Sequence, residues 1–407
     1  MRVQAPDGMI PLSEPEIRGN EWKYVQECLE TGWVSSAGTF VDRFEREMAA
    51  CIGARYAVAT SSGTAALHVA LLAAGVRPDD EILVSTLTFI APVNAVRYVG
   101  AWPVFMDADP RFWQMDAQKV VGFLERECRW TDGALRNKTT GRRVSGILPV
   151  HILGHPVDMD PIVEVARKYR LAVIEDATES LGAKYKGSAV GHLGDIACFS
   201  FNGNKIITTG GGGMLVTDRE DWARKAKYLT TQAKDDPVEF VHNEIGFNYR
   251  LTNVQAALGC AQLEQLSQYV AAKRRVADAY KKGLEGLDGV TCMREALWAF
   301  STFWLYTVLV DPERYKEDRK TLLKELARAK VETRPLWQPI HRSPAHAGCQ
   351  AYRCDHAEQV QELALCLPSS VGLTDSHQRW VIEQVRMAGY PSAAGMSSSD
   401  RTWNPSP

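Results

Sequence analysis

No apolar run in the 407-residue chain approaches the roughly 20 residues a bilayer-spanning helix needs; the largely apolar stretch from Ala65 to Val76 stops well short. The opening Met1-Arg-Val-Gln-Ala-Pro-Asp-Gly8 lacks the apolar core of a secretory signal, so a soluble, cytoplasmic chain with no membrane partner is expected. No Cys-x-x-Cys pair occurs among the nine cysteines, an odd number scattered from Cys28 to Cys366, which does not suit a disulfide framework and agrees with a reducing compartment. Neither sign of charge dominates. Lys and Arg number 47 against 49 Asp and Glu, a formal charge of −2 that offers no general attraction for nucleic acid or anionic lipid. Any partner must therefore be recognised by a local site. Internal repeats are also missing. What is present, 45% hydrophobic and 24% charged residues over this length, suits a globular chain of two domains.

Between Tyr56 and about Thr217, short β-rich runs alternate with helix-like stretches, the pattern of a parallel sheet covered by helices. Seven strands are expected: Tyr56–Thr60, Glu81–Ser85, Pro103–Phe105, Gly146–Val150, Ala172–Glu175, Ala197–Phe201 and Met214–Thr217. Several are apolar nearly throughout, as strands buried on both faces are. Asn20 stands at the N-cap of a leading helix that Gly32 closes. Thr252 opens one long helical pattern to about Leu284, followed by a strand at Phe303–Val310, an amphipathic helix at Tyr315–Lys330 and a last helix at Ser376–Met387. A large α/β domain over residues 1–260, a smaller α+β domain over 261–389 and a disordered tail over 390–407 account for the pattern.

Three segments carry the candidate chemistry. In Ala59-Thr60-Ser61-Ser62-Gly63-Thr64-Ala65, a strand ends, small residues follow and an apolar helix begins. Backbone N–H groups and the positive helix end then point at one spot suited to a phosphate, although Ser62 or Thr64 would cap the helix equally well without one. In Leu171-Ala-Val-Ile-Glu175-Asp176-Ala177-Thr178-Glu179, an apolar strand ends in two acids at the sheet edge where open α/β folds bind ligands; the same acids could instead cap the next helix. In Ala197-Cys-Phe-Ser200-Phe201-Asn202-Gly203-Asn204-Lys205, a polar turn presents Lys205 just before the four glycines Gly210–Gly213. A phosphate cradle, a carboxylate and a loop lysine on one edge are the groups that pyridoxal 5'-phosphate requires: imine partner, ring-nitrogen partner and anion site.

The ordered motifs then resemble the DegT-type family of pyridoxal-phosphate nucleotide-sugar aminotransferases, over about residues 10–388. They are Thr31-Gly-Trp33-Val-Ser35, Ser62-Gly-Thr-Ala-Ala-Leu67, Thr88-Phe89-Ile-Ala-Pro-Val-Asn94-Ala95, Val150-His151-Ile-Leu-Gly154, Glu175-Asp-Ala-Thr-Glu-Ser-Leu-Gly182, Ser200-Phe-Asn-Gly-Asn-Lys205 and Gly246-Phe-Asn-Tyr-Arg250. The resemblance implies the aspartate-aminotransferase fold (fold type I), with a large, mainly parallel seven-stranded sheet domain and a smaller α+β domain. It implies that Lys205 is the Schiff-base lysine and acid/base, that Asp176 pairs with the pyridinium nitrogen, that Gly63, Thr64 and Ser200 hold the phosphate, and that Phe89 stacks on the ring. Asn248 matches an asparagine that reaches the phosphate from the neighbouring subunit, so a homodimer with shared sites is implied. Trp33, Asn94, Arg250, Trp337 and His341 are the candidate substrate contacts, with Arg342 beside them.

One departure concerns Glu179, where many family members have Gln. That position is expected near the phenolic oxygen of the cofactor, and two anions there would repel, so Glu179 is expected to be protonated or bridged by a proton. The other is Gly210-Gly-Gly-Gly213, where family members often show Gly-Glu-Gly-Gly. The wording around Trp33, Phe89 and Lys205 looks like the legionaminic-acid and bacillosamine subgroup. That implies transfer of an amino group from L-glutamate to C4 of a UDP-linked 4-keto-6-deoxy-N-acetylhexosamine, with pyridoxamine 5'-phosphate as the aminated form of the cofactor. The alternative is a GDP-4-keto-6-deoxymannose (perosamine-type) aminotransferase, since those enzymes share much of the same wording. An alternative of another class is a pyridoxal-phosphate-binding regulatory protein. A sugar dehydratase of the same fold is disfavoured by Lys205, and a zinc site at His346, Cys349, Cys354 and His356 by their spacing, so no metal is expected.

Overall fold

The apolar runs assemble as a sheet because each is flanked by a helix that covers one face. A computed structural model describes residues 5–236 and 238–389; the tail expected over residues 390–407 lies outside the described residues. The main sheet runs Tyr56–Thr60, Gly213–Thr217, Ile196–Ser200, Ala172–Asp176, Val144–Leu148, Glu81–Ser85, Trp102–Met106 and Gln350–Tyr352. Gly213–Thr217 is antiparallel to both its neighbours, and the other pairings are parallel. All seven expected strands are present, but the sheet has eight. The extra edge strand, Gln350–Tyr352, comes from the segment expected to belong wholly to the smaller domain and pairs with Val104–Met106. Glu81–Ser85 and Gly213–Thr217 are buried at every residue, which explains why they read as continuous apolar runs.

The parallel strands bring their carboxyl ends to one edge. Gly213 pairs with Thr60 on one side and Ser200 on the other, so the ends of those two strands are held together. A Cβ at Gly213 would lie 2.4 Å from the Ser62 carbonyl carbon, so only glycine permits this approach.

A second, four-stranded antiparallel sheet consists of Val290–Cys292, Tyr306–Val310, Ala364–Leu367 and Arg334–Pro335 in that order. The expected leading helix is present at Glu21–Thr31, with Gly32 closing it at φ +74°. The long helix expected from Thr252 is two helices, Asn253–Glu264 and Leu266–Leu284, broken at Gln265. Thr252 and Gln255 form a reciprocal capping box at its start. The helix expected at Tyr315–Lys330 is likewise divided, into Pro312–Tyr315 and Arg319–Arg328, because Lys316 takes a left-handed conformation. The last helix spans Asp375–Ala388. No described helix is long and apolar enough to cross a membrane.

Candidate active site

A cavity of about 330 Å³ opens at the shared strand edge, lined among others by Gly63, Thr64, Phe89, Asp176, Glu179, Ser200 and Lys205. The structure therefore brings together seven of the residues singled out for the cofactor. Its floor is the start of the helix Gly63–Ala73. Ser62 caps that helix, its Oγ accepting the Ala65 N–H at 3.1 Å, while the N–H groups of Gly63 and Thr64 fall in the first turn and have no intrahelical acceptor. Capping by Ser62 therefore leaves these two N–H groups available to an anion. A Cβ on Gly63 would lie 2.8 Å from Ser200 Cβ and 3.2 Å from Thr178 Cγ2, so the glycine keeps open a cradle that any other residue would fill.

Asp176 ends its strand fully buried. Its Oδ1 accepts the Thr178 N–H at 3.1 Å, and burial pushes its carboxyl up, partly offset by that bond and by Lys205. Glu175, one residue earlier, faces the other way. It accepts N–H bonds from Gly191, Leu193 and Gly194 and a bond from His151 Nε2 at 3.0 Å. Burial works against ionisation of Glu175, but the His151 and backbone bonds outweigh it and hold the carboxyl below its usual range. His151 Nδ1 accepts the Val157 N–H at 2.9 Å, which assigns the ring proton to Nε2. Neither residue lines the cavity; both brace the strand that carries Asp176.

Lys205 reaches the cavity from a turn closed by its own N–H to the Asn202 carbonyl, at 3.0 Å. Its Nζ lies 3.6 Å from Glu179 Oε1 and 4.0 Å from the centroid of the Trp304 ring. Glu179 Oε2 accepts the Leu153 N–H at 2.8 Å. Burial raises the Glu179 carboxyl to about 7, with Lys205 and the Leu153 N–H pulling the other way. Phe89 is 52% exposed at the cavity mouth, and its ring meets Trp337 edge-on at 6.5 Å between centroids.

The remaining substrate candidates do not line this cavity. Asn94 bonds His346 Nε2 at 3.1 Å. His341 is held between Thr86 Oγ1 at 2.7 Å and Glu358 Oε1 at 2.8 Å, and Arg342 pairs with Glu358 at 3.6 Å, so these side chains tie loops together. Trp33 is 59% exposed, and its carbonyl accepts a bond from Asn253. Arg250 lines a separate cavity with Lys227, and Asn248 pairs its backbone with Thr231 while its side chain stays exposed. His346 and Cys354 are occupied by Asn94 and the Phe105 carbonyl, and no metal-binding group of His, Cys, Asp or Glu occurs among the described residues. Sequence reasoning missed Thr178, Asn204 and Trp304 as wall residues. Thr178 and Asn204 lie inside two of the motifs that carry the resemblance, and Trp304 is an aromatic at the start of an expected strand.

The cradle at Gly63, the buried carboxylate of Asp176 and the amine of Lys205 share one cavity and supply the donor set that pyridoxal phosphate takes. The DegT/DnrJ/EryC1/StrS aminotransferase family matches residues 15–386. A GDP-perosamine synthase of Caulobacter vibrioides is 42% identical over 90% of the chain and 95% of its own length. One from Escherichia coli O157:H7 is 39% identical over 92% and 97%. The crystal structure of DesI in the presence of its TDP-sugar product superposes with a TM-score of 0.84 at 27% identity, covering 95% of this chain and 94% of that one.

Proposed function

The chain belongs to the DegT/DnrJ/EryC1/StrS aminotransferase family, and from that premise we propose that it moves an amino group from L-glutamate to C4 of GDP-4-keto-6-deoxymannose, giving a perosamine-type GDP-sugar. It is a pyridoxal-phosphate-dependent sugar aminotransferase. The observation that carries the choice of sugar is the pair of GDP-perosamine synthases, each similar over nine-tenths or more of both chains. The UDP-linked N-acetylhexosamine expected from the motif wording is less well supported, because perosamine-type enzymes share that wording around Lys205.

In this reading Gly63, Thr64 and Ser200 hold the cofactor phosphate, Asp176 holds the ring nitrogen, and Phe89 covers the ring face. When bound, the cofactor supplies an electron sink that stabilises the carbanion left as the donor's Cα loses its proton. Lys205 carries protons at Nζ, taking one from the donor Cα and delivering one to sugar C4 in the second half of the exchange. Glu179 stands beside Nζ and sets the charge that amine faces. Trp304 and Trp337 give the cavity an aromatic wall beside that amine. The working unit is a homodimer in which Asn248 of the partner subunit completes the phosphate site. The exposed apolar side chains Val238, Phe240 and Ile245, on the segment leading to Asn248, support such an interface.

The test is a coupled assay with L-glutamate across GDP- and UDP-linked 4-keto-6-deoxy sugars. The GDP-mannose derivative is expected to give kcat/KM about 100-fold above the UDP-N-acetylhexosamine derivative. Preference for the UDP sugar would reverse the assignment, and no transfer to either would remove it.

A further inference from the structure

Lys273 is the buried cation that the chemistry above does not use. It stands on the helix Leu266–Leu284 at 2% exposure, among buried residues that include Tyr269, Val270, Val276, Ala277 and Tyr280. An ammonium at such a place is costly, and an apolar side chain of the same length would fill it more cheaply, unless the charge holds something. Its Nζ donates to the Trp304 carbonyl at 2.9 Å and to the Ser369 carbonyl. Burial pushes the ammonium down to about 7, and its two named partners are both carbonyl oxygens.

Both partners lead to the active site. Trp304 is tied twice: its carbonyl to Lys273, and its indole Nε1–H to the Asn204 carbonyl at 2.7 Å, one residue before Lys205. Between those ties its ring lies under the Lys205 amine. Ser369 is tied to the strand that follows Trp304, its Oγ accepting the Tyr306 N–H at 2.9 Å, and its own N–H donates to the Leu12 carbonyl at 2.7 Å. The same helix grips this segment again through Tyr280, whose hydroxyl donates to the Pro368 carbonyl at 2.9 Å.

We propose that Lys273 is a positioning residue of the aminotransferase site: it clamps the backbone at Trp304 and Ser369 and so fixes the Trp304 indole against Lys205. An aromatic face favours a cation above it, so a ring held at this distance supports positive charge at Lys205 Nζ, in the same direction as the Glu179 and Asp176 carboxyls near that amine. Loss of the clamp lets the ring drift and weakens that preference. The inference rests on the family chemistry at Lys205 and is independent of which nucleotide sugar is used.

The experiment is an absorbance titration of the cofactor-loaded enzyme with pH, beside steady-state kinetics, for Lys273→Met, Lys273→Gln, Trp304→Leu and the double variant Lys273→Met/Trp304→Leu. Trp304→Leu is expected to move the titration midpoint down by about half a unit or more. Lys273→Met moves it the same way and lowers kcat by about 10-fold, with both KM values within about twofold. The double variant goes no further than Trp304→Leu, because both changes act through one ring. Lys273→Gln keeps two N–H donors and recovers part of the shift. A folded Lys273→Met enzyme with the wild-type midpoint and kcat overturns the proposal, and so does full additivity in the double variant. If neither Lys273 variant folds, Tyr280→Phe, which loosens the same segment at Pro368, takes their place beside Trp304→Leu: an unchanged midpoint in either variant overturns the clamp, and a downward shift in both upholds it.

Discussion

Buried Glu179 and half-buried Lys205 form an acid and base, Oε1 to Nζ 3.6 Å, with the far oxygen of Glu179 fixed by the Leu153 N–H. A carboxyl raised by burial to about 7 changes charge within the working range of an ordinary enzyme, so the electrostatic field at Lys205 changes with it. The rate is therefore expected to show a limb near pH 7 that flattens in Glu179→Gln. A pH–rate profile and absorbance spectrum identical to wild type at every pH would show that Glu179 does not set the charge at Lys205.

The same group makes a stability prediction with a defined sign. Its folded pKa lies above the usual carboxylate value, so between about 4.5 and 7 the folded protein binds more protons than the unfolded chain. Its contribution is present below that window and is lost as pH rises through it, by an amount on the order of 3 kcal/mol. Urea melts of the cofactor-free protein at pH 5 and pH 8 are the measurement. Glu179→Gln should narrow the gap between the two pH values; an unchanged gap places the proton elsewhere.

Gly63→Ala places a methyl group 2.8 Å from Ser200 Cβ, in the cradle that faces the first-turn N–H groups. Overpacking of this kind costs about 1–3 kcal/mol and, if taken up by shifting Ser200, displaces a proposed phosphate contact. Cofactor affinity, followed by fluorescence titration, is expected to fall by about 10-fold or more, well beyond any change in melting temperature. Retained affinity would mean that the phosphate sits away from this turn.

Lys205→Ala removes the only amine lining the cavity among the described residues, while costing the fold just a 3.6 Å ion pair and a contact with Trp304. Turnover is expected to drop by at least about 1,000-fold with an unchanged melting profile. Partial rescue by a small primary amine would place the loss in proton transfer rather than in folding. Multiple turnover without added amine would remove Lys205 from the mechanism.

The strands that build this edge were legible because burial on both faces leaves an apolar run that no surface strand shows. Lys205 and Asp176 were legible because each follows such a run. Gln350–Tyr352 was not, since three residues at a sheet edge carry no periodicity and their pairing with Val104–Met106 is a long-range event. The break at Gln265 leaves no proline or glycine to mark it. His341 and Asn94 sit in segments that read as substrate-facing, yet their side chains are taken by Thr86, Glu358 and His346, partners that only the folded chain brings near. Trp304 gains its role from Lys205 almost a hundred residues away, a relation that no local pattern encodes.

Asn248 offers the sharpest test of a shared site. Its side chain is exposed and outside the cavity of its own chain, so within one subunit its replacement should do little. If it serves the neighbouring subunit, Asn248→Ala and Lys205→Ala damage a given site from opposite chains. In a mixed dimer of the two variants, one site carries both defects and the other carries neither. Co-expression with two affinity tags, followed by tandem purification, should therefore recover about half the wild-type activity per dimer from two weakly active parents. Mixed dimers no more active than the parents would mean that each subunit completes its own site.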